Sequence, residues 1–221
     1  NSGGIALCLE QIGLINLDLG FYEVAIQNFE SVLEIQIDLE SQAGISSAHK
    51  HLGMVFFSQG DYEKASEYLN NAREIKESLG DNLSLPVIFE FIGQCEIKKG
   101  QVGKGIQKII EGLRLAEANN QLLVQSSICS TLFQAYLNIK DYDAAISYSQ
   151  KQIEIQNKIL KESASTKDKQ ILDIIGVEVK NIQIQELEKE NTEKASLIHR
   201  KQIFIYSLSV FRFILSFPNL N

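Results

Sequence analysis

Tryptophan is absent from this 221-residue chain, and proline occurs only twice, at Pro86 and Pro218. With so few helix breakers, the sequence permits long uninterrupted helices. Its three cysteines, Cys8, Cys95 and Cys129, are too few and too scattered for a disulfide framework. They include no C-x-x-C pair, so buried reduced thiols are expected. Histidine is scarce as well. His49 and His51 lie two residues apart, which on a helix turns them about 200° from one another, so they cannot share a metal ion. His49 sits in a packing column with Leu9, Phe89 and Cys129, which favours a core role. Positive charge is in deficit: 21 Lys and Arg face 28 Asp and Glu, a net charge of −7. A nucleic-acid binder draws most of its affinity from cationic contacts to phosphate, so no nucleic-acid partner is expected. A hydrophobic share of 44% is nevertheless ordinary for a globular protein and argues against global disorder. The chain opens Asn1-Ser2-Gly3 with neither a methionine nor a secretory leader, which reads as a fragment or a processed form.

What is present is a repeat. Gly20, Gly60, Gly100 and Lys140 stand 40 residues apart. Tyr22, Tyr62, Val102 and Tyr142 follow in phase, then Ala25, Ala65, Gly105 and Ala145. Upstream, Ile12-Gly13, Leu52-Gly53, Ile92-Gly93 and Leu132-Phe133 keep the same register. Each unit reads as two helices. In the second, apolar residues run at helical spacing from Ile45 to Ser58, break at Gln59-Gly60-Asp61 and resume from Tyr62 to Leu79. Gly60 suits the left-handed residue that ends a helix, and Asp61 suits the cap of the next. The first unit breaks at Leu19-Gly20 and again near Gln42-Ala43-Gly44. Gly13, Gly53 and Gly93 on the first helices face Ala25, Ala65 and Gly105 on the second, and such small side chains let antiparallel backbones approach closely.

These residues resemble the tetratricopeptide repeat, whose pattern runs Leu-Gly, an aromatic, Gly-x-Tyr, Ala, an aromatic or Leu, then Ala. The second unit matches best, with Leu52-Gly53, Phe56, Gly60-Asp61-Tyr62, Ala65, Leu69 and Ala72. The first carries Ile12-Gly13, Gly20-Phe21-Tyr22, Ala25, Phe29 and Val32. The resemblance covers residues 5–162. Its 40-residue period is similar to the subclass found in bacterial sensor proteins and in eukaryotic polarity and motor-cargo adaptors. It implies an all-α fold: a right-handed α-α superhelix of four helix pairs, at about 5–44, 45–84, 85–122 and 123–162, followed by a long C-terminal helix. Two units depart from the pattern. The third has Val102, Gly105 and Gly112, and a glycine in place of alanine costs a helix about 1 kcal/mol. The helix over 101–118 is therefore expected to be the soft part of the array. The fourth has Phe133 where glycine belongs, so its helices are expected to sit further apart or to repack.

Residues 163–201 read as one long charged helix. Leu172, Ile175, Val179 and Ile182 give it a 3-4-3 seam that ends at Glu186 and Lys189. A homodimeric coiled coil through residues 168–185 and a monomeric capping helix are equal readings of that stretch. The last part, residues 202–221, is apolar over 203–217, follows His199-Arg200-Lys201 and contains Arg212. That run is shorter than the roughly 20 residues a spanning helix needs. It reads as a truncated transmembrane helix, an interfacial segment in contact with a membrane, or a cap on the array. This order of parts resembles bacterial membrane-bound signalling proteins. The array's place, bacterial cytoplasm or membrane-tethered on either side, stays open.

No catalytic constellation emerges, and neither a cofactor nor a metal is expected, so the chain does not read as an enzyme. Gly100-Gln101-Val102-Gly103-Lys104-Gly105 lacks the glycine spacing and the Ser/Thr of a phosphate loop, and the repeat register already accounts for Gly100 and Gly105. The resemblance implies that the first helices line a concave groove for a protein or peptide. Its groove columns fall on Leu14, Leu17, Lys50, Met54, Phe57, Gln94, Ile97, Gln134, Leu137 and Asn138, the candidate site residues. Glu90, Lys98, Ser127 and Ser130 share these columns. Of the family's carboxylate clamp only Lys50 is matched, and Met54 stands where asparagine is required, so no clamp activity is expected. Met54, Phe57, Leu14 and Leu17 among polar neighbours suit an amphipathic helix or an extended peptide. The expected function is a protein- or peptide-binding scaffold, the sensory region of a bacterial signal-transduction protein. The alternative is a free-standing soluble adaptor or peptide receptor with its C-terminal helix as a cap.

Overall fold

A computed structural model describes residues 2–163 throughout, and beyond them residues 180, 181, 183–185, 188–194 and 196, all helical. The chain divides into two compact units, Asn1–Ser163 and Ala164–Asn221. The seam Leu172, Ile175, Val179 and Ile182 and the apolar segment 202–221 lie outside the described residues. The first unit contains eight helices: α1 (Ser2–Asp18), α2 (Tyr22–Asp38), α3 (Gln42–Gln59), α4 (Tyr62–Ser78), α5 (Leu85–Lys98), α6 (Val102–Ala118), α7 (Leu122–Asn138) and α8 (Tyr142–Ser163). Each packs on its neighbours in sequence, so that four antiparallel pairs stack into a right-handed α-α superhelix. The first helices also touch one another in turn, α1 on α3, α3 on α5 and α5 on α7, whereas the second helices do not. The array therefore curves with α1, α3, α5 and α7 on its inner side.

The turns keep a finer period than the sequence pattern. Left-handed residues fall every 20 positions: Gly20, Glu40, Gly60, Gly80, Gly100, Asn120 and Lys140, with φ between 51° and 87°. Each 40-residue unit is thus two helix-turn modules of equal length. The second break of unit one lies at Leu39-Glu40-Ser41, earlier than the Gln42-Ala43-Gly44 reading. Glu40 adopts the left-handed conformation without being glycine, and the Ser41 hydroxyl caps α3 by accepting from the Gly44 amide at 3.2 Å. Gly44 is helical, and a Cβ there would meet the Gln36 side chain at 2.1 Å. The Asp61 carboxylate caps α4, accepting from the Lys64 amide at 3.1 Å. Helix α5 starts later than its counterparts because Asp81 organises a turn, accepting from the Leu83 and Ser84 amides while pairing with the buried Lys76 ammonium at 2.8 Å. Pro86 then enters at the first turn, where its missing N–H leaves nothing unpaired.

Packing explains both departures from the repeat pattern. A Cβ on Gly13 would meet the Phe29 ring at 2.7 Å, and one on Gly53 would meet Leu69 at 2.7 Å. In the third pair the backbones themselves touch: a Cβ on Gly105 would stand 2.4 Å from the Gly93 carbonyl oxygen, and one on Gly112 2.8 Å from that of Pro86. The expectation of a soft α6 counted helix propensity alone. The structure adds an opposing contribution, since these glycines allow close contact and α6 buries Ile106, Ile109, Leu113 and Ala116. In the fourth pair α7 and α8 pack as extensively as α3 and α4, so they are not splayed. The register supplies the reason. Phe29, Leu69 and Ile109 oppose the glycines at 13, 53 and 93, and the next member of that column is Ser149. The large side chain has changed helices: half-buried Phe133 stands in the glycine column of α7, and Ser149 in the large-residue column of α8.

The core forms one apolar cluster after another along the array: Ala25, Phe29, Leu52 and Val55; then Ala65, Leu69, Ile88 and Cys95; then Ile109, Leu113, Ile128 and Leu132. Cys95 and Cys129 are buried reduced thiols, both pushed up to about 11 by burial. Cys8 is exposed, contrary to expectation, because among the described helices none packs on the outer side of α1.

Candidate functional site

The inner face is built from side chains that the repeat register projects off α1, α3, α5 and α7. The structure divides the ten candidates among different roles. Leu14 and Leu17 are half-buried against Phe29, Leu52 and Val55, so they join two repeats. Phe57 meets Phe91 edge-on at 5.5 Å and Tyr62 at 5.6 Å, which ties α3 to α5. Lys50 and Met54 are half-buried. Burial holds the Lys50 ammonium below its ordinary value; nearby Glu10 opposes that shift and Lys76 adds to it. Leu137 is half-buried and lies off the cavities described next.

Four candidates come together. Gln94, Ile97, Gln134 and Asn138 surround a cavity of about 260 Å³ between α5 and α7, joined by Lys98, Ser130, Thr131 and Ala135. Three of these side chains are primary amides, each able to donate and to accept hydrogen bonds. Ile97 and Ala135 add apolar lining. A second cavity, about 440 Å³, lies further along the same two helices between Val87, Glu90, Phe91, Gln94, Leu123, Val124 and Ser127. Gln94 borders both, which makes them one groove.

Thr131 is the contributor that the groove columns overlooked. Its hydroxyl donates to Glu90 Oε1 at 2.6 Å, and the Ser127 hydroxyl donates to the same oxygen at 3.3 Å. Burial raises the Glu90 carboxyl above its usual range, and the two hydroxyls oppose that shift. The signal was present in the sequence. Ser127 and Thr131 are one helical turn apart and straddle Ser130, which stands one repeat after Glu90.

The histidines take part in packing. His51 is buried against the Phe29 ring, centroids 5.0 Å apart, and its Nδ1 lies 3.2 Å from Glu10 Oε1. Burial, with Lys50 adding to it, holds the imidazole down to about 3, so it is neutral at ordinary pH. His49 is half-buried beside the Tyr68 ring at 5.6 Å. Among the described residues, no group of three or more His, Cys, Asp or Glu side chains is placed to hold a metal ion. Lys104, in the stretch that superficially resembles a phosphate loop, pairs with the buried Glu96 at 3.4 Å, and Lys99 pairs with the same carboxylate at 3.1 Å. Among the described residues no helix is long and apolar enough to cross a membrane.

Comparison with known proteins agrees with this architecture. A family model described as tetratricopeptide repeat matches residues 5–78, and a second of the same description matches residues 134–159. No curated protein sequence matches the chain. Among solved structures, BtubC of P. vanneervenii is similar with a TM-score of 0.66 at 13% identity, over 94% of this chain and 82% of that one. Aspartyl phosphate phosphatase F of Bacillus subtilis gives 0.65 at 15% identity, over 97% of this chain and 60% of that one. The TPR domain of Arabidopsis FLU gives 0.51 at 19% identity, over 53% of this chain and 99% of that domain. Identities this low speak for the fold and not for a shared partner.

Proposed function

The chain carries tetratricopeptide repeats, and on that premise we propose that it is a protein-interaction scaffold that holds an extended peptide in the groove between α5 and α7. The observation that carries this reading is the set of three amides, Gln94, Gln134 and Asn138, around one partly apolar cavity. A helical ligand satisfies its backbone groups internally, whereas an extended peptide brings unpaired N–H and C=O groups that such amides can meet. Ile97 and Ala135 offer apolar contact to a side chain between those bonds. The order of the sequence parts supports a finer reading, in which the groove belongs to the input region of a bacterial signal-transduction protein. In that reading residues 203–217 contact a membrane and residues 168–185 pair two copies. A soluble adaptor would instead remain in the supernatant when cells are fractionated.

Selection from a random-peptide display library tests the groove. Gln134 and Asn138 are exposed, so their replacement leaves the core intact. The double variant Gln134→Ala, Asn138→Ala should bind the selected peptides at least tenfold more weakly, about 1.4 kcal/mol. A control on the outer face, Glu67→Ala, should bind them unchanged. Equal affinity in the double variant would rule out this site.

A further inference from the structure

Resting on the groove reading, we infer that Glu90 receives a cationic side chain, lysine or arginine, from the bound peptide. The residue is only 5% exposed, and both of its hydroxyl partners, on Ser127 and Thr131, donate to the single oxygen Oε1. Other buried charges in the array are matched: Glu96 lies between Lys99 and Lys104, and Lys76 pairs with Asp81. Among the described residues Glu90 has no cation within ion-pair distance. An ionised carboxylate withdrawn from water without a counter-charge is destabilising, and the hydroxyls relieve that only in part. A ligand ammonium or guanidinium would supply the missing charge through a charge-assisted hydrogen bond.

The surroundings fit that kind of side chain. Val87, Phe91, Leu123 and Val124 line the cavity next to Glu90. Such walls pack against the methylene stem of lysine or arginine while the polar head reaches the carboxylate. Gln94 leads from this cavity to the next, where the amides meet the peptide backbone. Lys98 lines the amide-bordered cavity, eight residues further along α5 from Glu90, which on a helix is about 12 Å. The groove is therefore bipolar. A peptide with a basic residue at one end and an acidic one about three or four extended residues away satisfies both ends.

The test uses the full chain and an array of random heptapeptides. The wild type should select peptides rich in Lys or Arg, and Glu90→Gln should bind those peptides at least tenfold more weakly. Glutamine keeps an oxygen acceptor for the Thr131 hydroxyl, and an unchanged melting curve would establish that the variant is folded. A second arm changes the peptide: lysine replaced by the uncharged norleucine in a selected peptide should lose the same tenfold on the wild type and nothing on Glu90→Gln. Peptides selected without basic enrichment, or bound equally by both proteins, would overturn the assignment of Glu90 and leave the groove standing. Selection of no peptide at all by the wild type would overturn the groove and the assignment together.

Discussion

Two glycines on α6 show how a residue's worth depends on what surrounds it. Gly103 and Gly105 carry the same propensity penalty, because glycine loses more backbone freedom on folding than alanine does. Nothing lies within 4 Å of a Cβ built on Gly103. Gly103→Ala should therefore stabilise the protein, by up to about 1 kcal/mol. A Cβ on Gly105 would stand 2.4 Å from the Gly93 carbonyl oxygen and 2.6 Å from Ile97. Backbone cannot step aside as a side-chain tip can, so Gly105→Ala should cost about 1–3 kcal/mol despite its better propensity. Denaturant unfolding of the two variants, two residues apart on one helix, should give shifts of opposite sign.

At the scale of the element, α1 and α3 carry equivalent stripes and meet different surroundings. Ile5, Cys8, Ile12 and Ile15 run along α1 at alternating three- and four-residue spacing, and all are exposed. One repeat later the same columns hold Ile45, Ala48, Leu52 and Val55, of which the last three are fully buried. The difference is a neighbour. Helix α3 packs against α2, while among the described helices none precedes α1. Leu52→Ala should accordingly cost about 2–5 kcal/mol through a cavity, and Ile12→Ala should stay within about 0.5 kcal/mol, as surface changes do. Comparable losses at both positions would show that the α1 stripe is covered in solution.

For the array as a whole, stability should follow contact with neighbours on both sides rather than helix propensity. Helix α5 is buried between α4 and α6 and also touches α3 and α7; α1 has fewer partners. Repeat arrays open locally, from the elements with the weakest interfaces. Native-state hydrogen exchange should therefore find α1 least protected and residues 102–118 at least as protected as residues 62–78. Faster exchange in 102–118 would restore the propensity argument and make the third pair a hinge.

The sequence alone determined the helix pairs, because a 40-residue register of glycine, tyrosine and alanine encodes close helix approach and turn geometry locally. It determined the left-handed turns at Gly20, Gly60 and Gly100 for the same reason. It did not reveal the turn at Glu40, which adopts the left-handed conformation at φ 51° although glutamate rarely does. Tertiary structure alone decided which groove columns face a cavity. Leu14 shares its column with Gln94 and Gln134, and Leu17 and Phe57 share theirs with Ile97, yet Leu14, Leu17 and Phe57 are drawn into packing with the next repeat while Gln94, Ile97 and Gln134 border open space. It also decided the setting of Glu90. A carboxylate looks alike anywhere in a sequence, and only the fold brings Ser127 and Thr131 onto one of its oxygens while keeping every described cation away. Register is a property of the chain; burial and pairing belong to the distance between segments, and that distance exists only once the repeats have stacked.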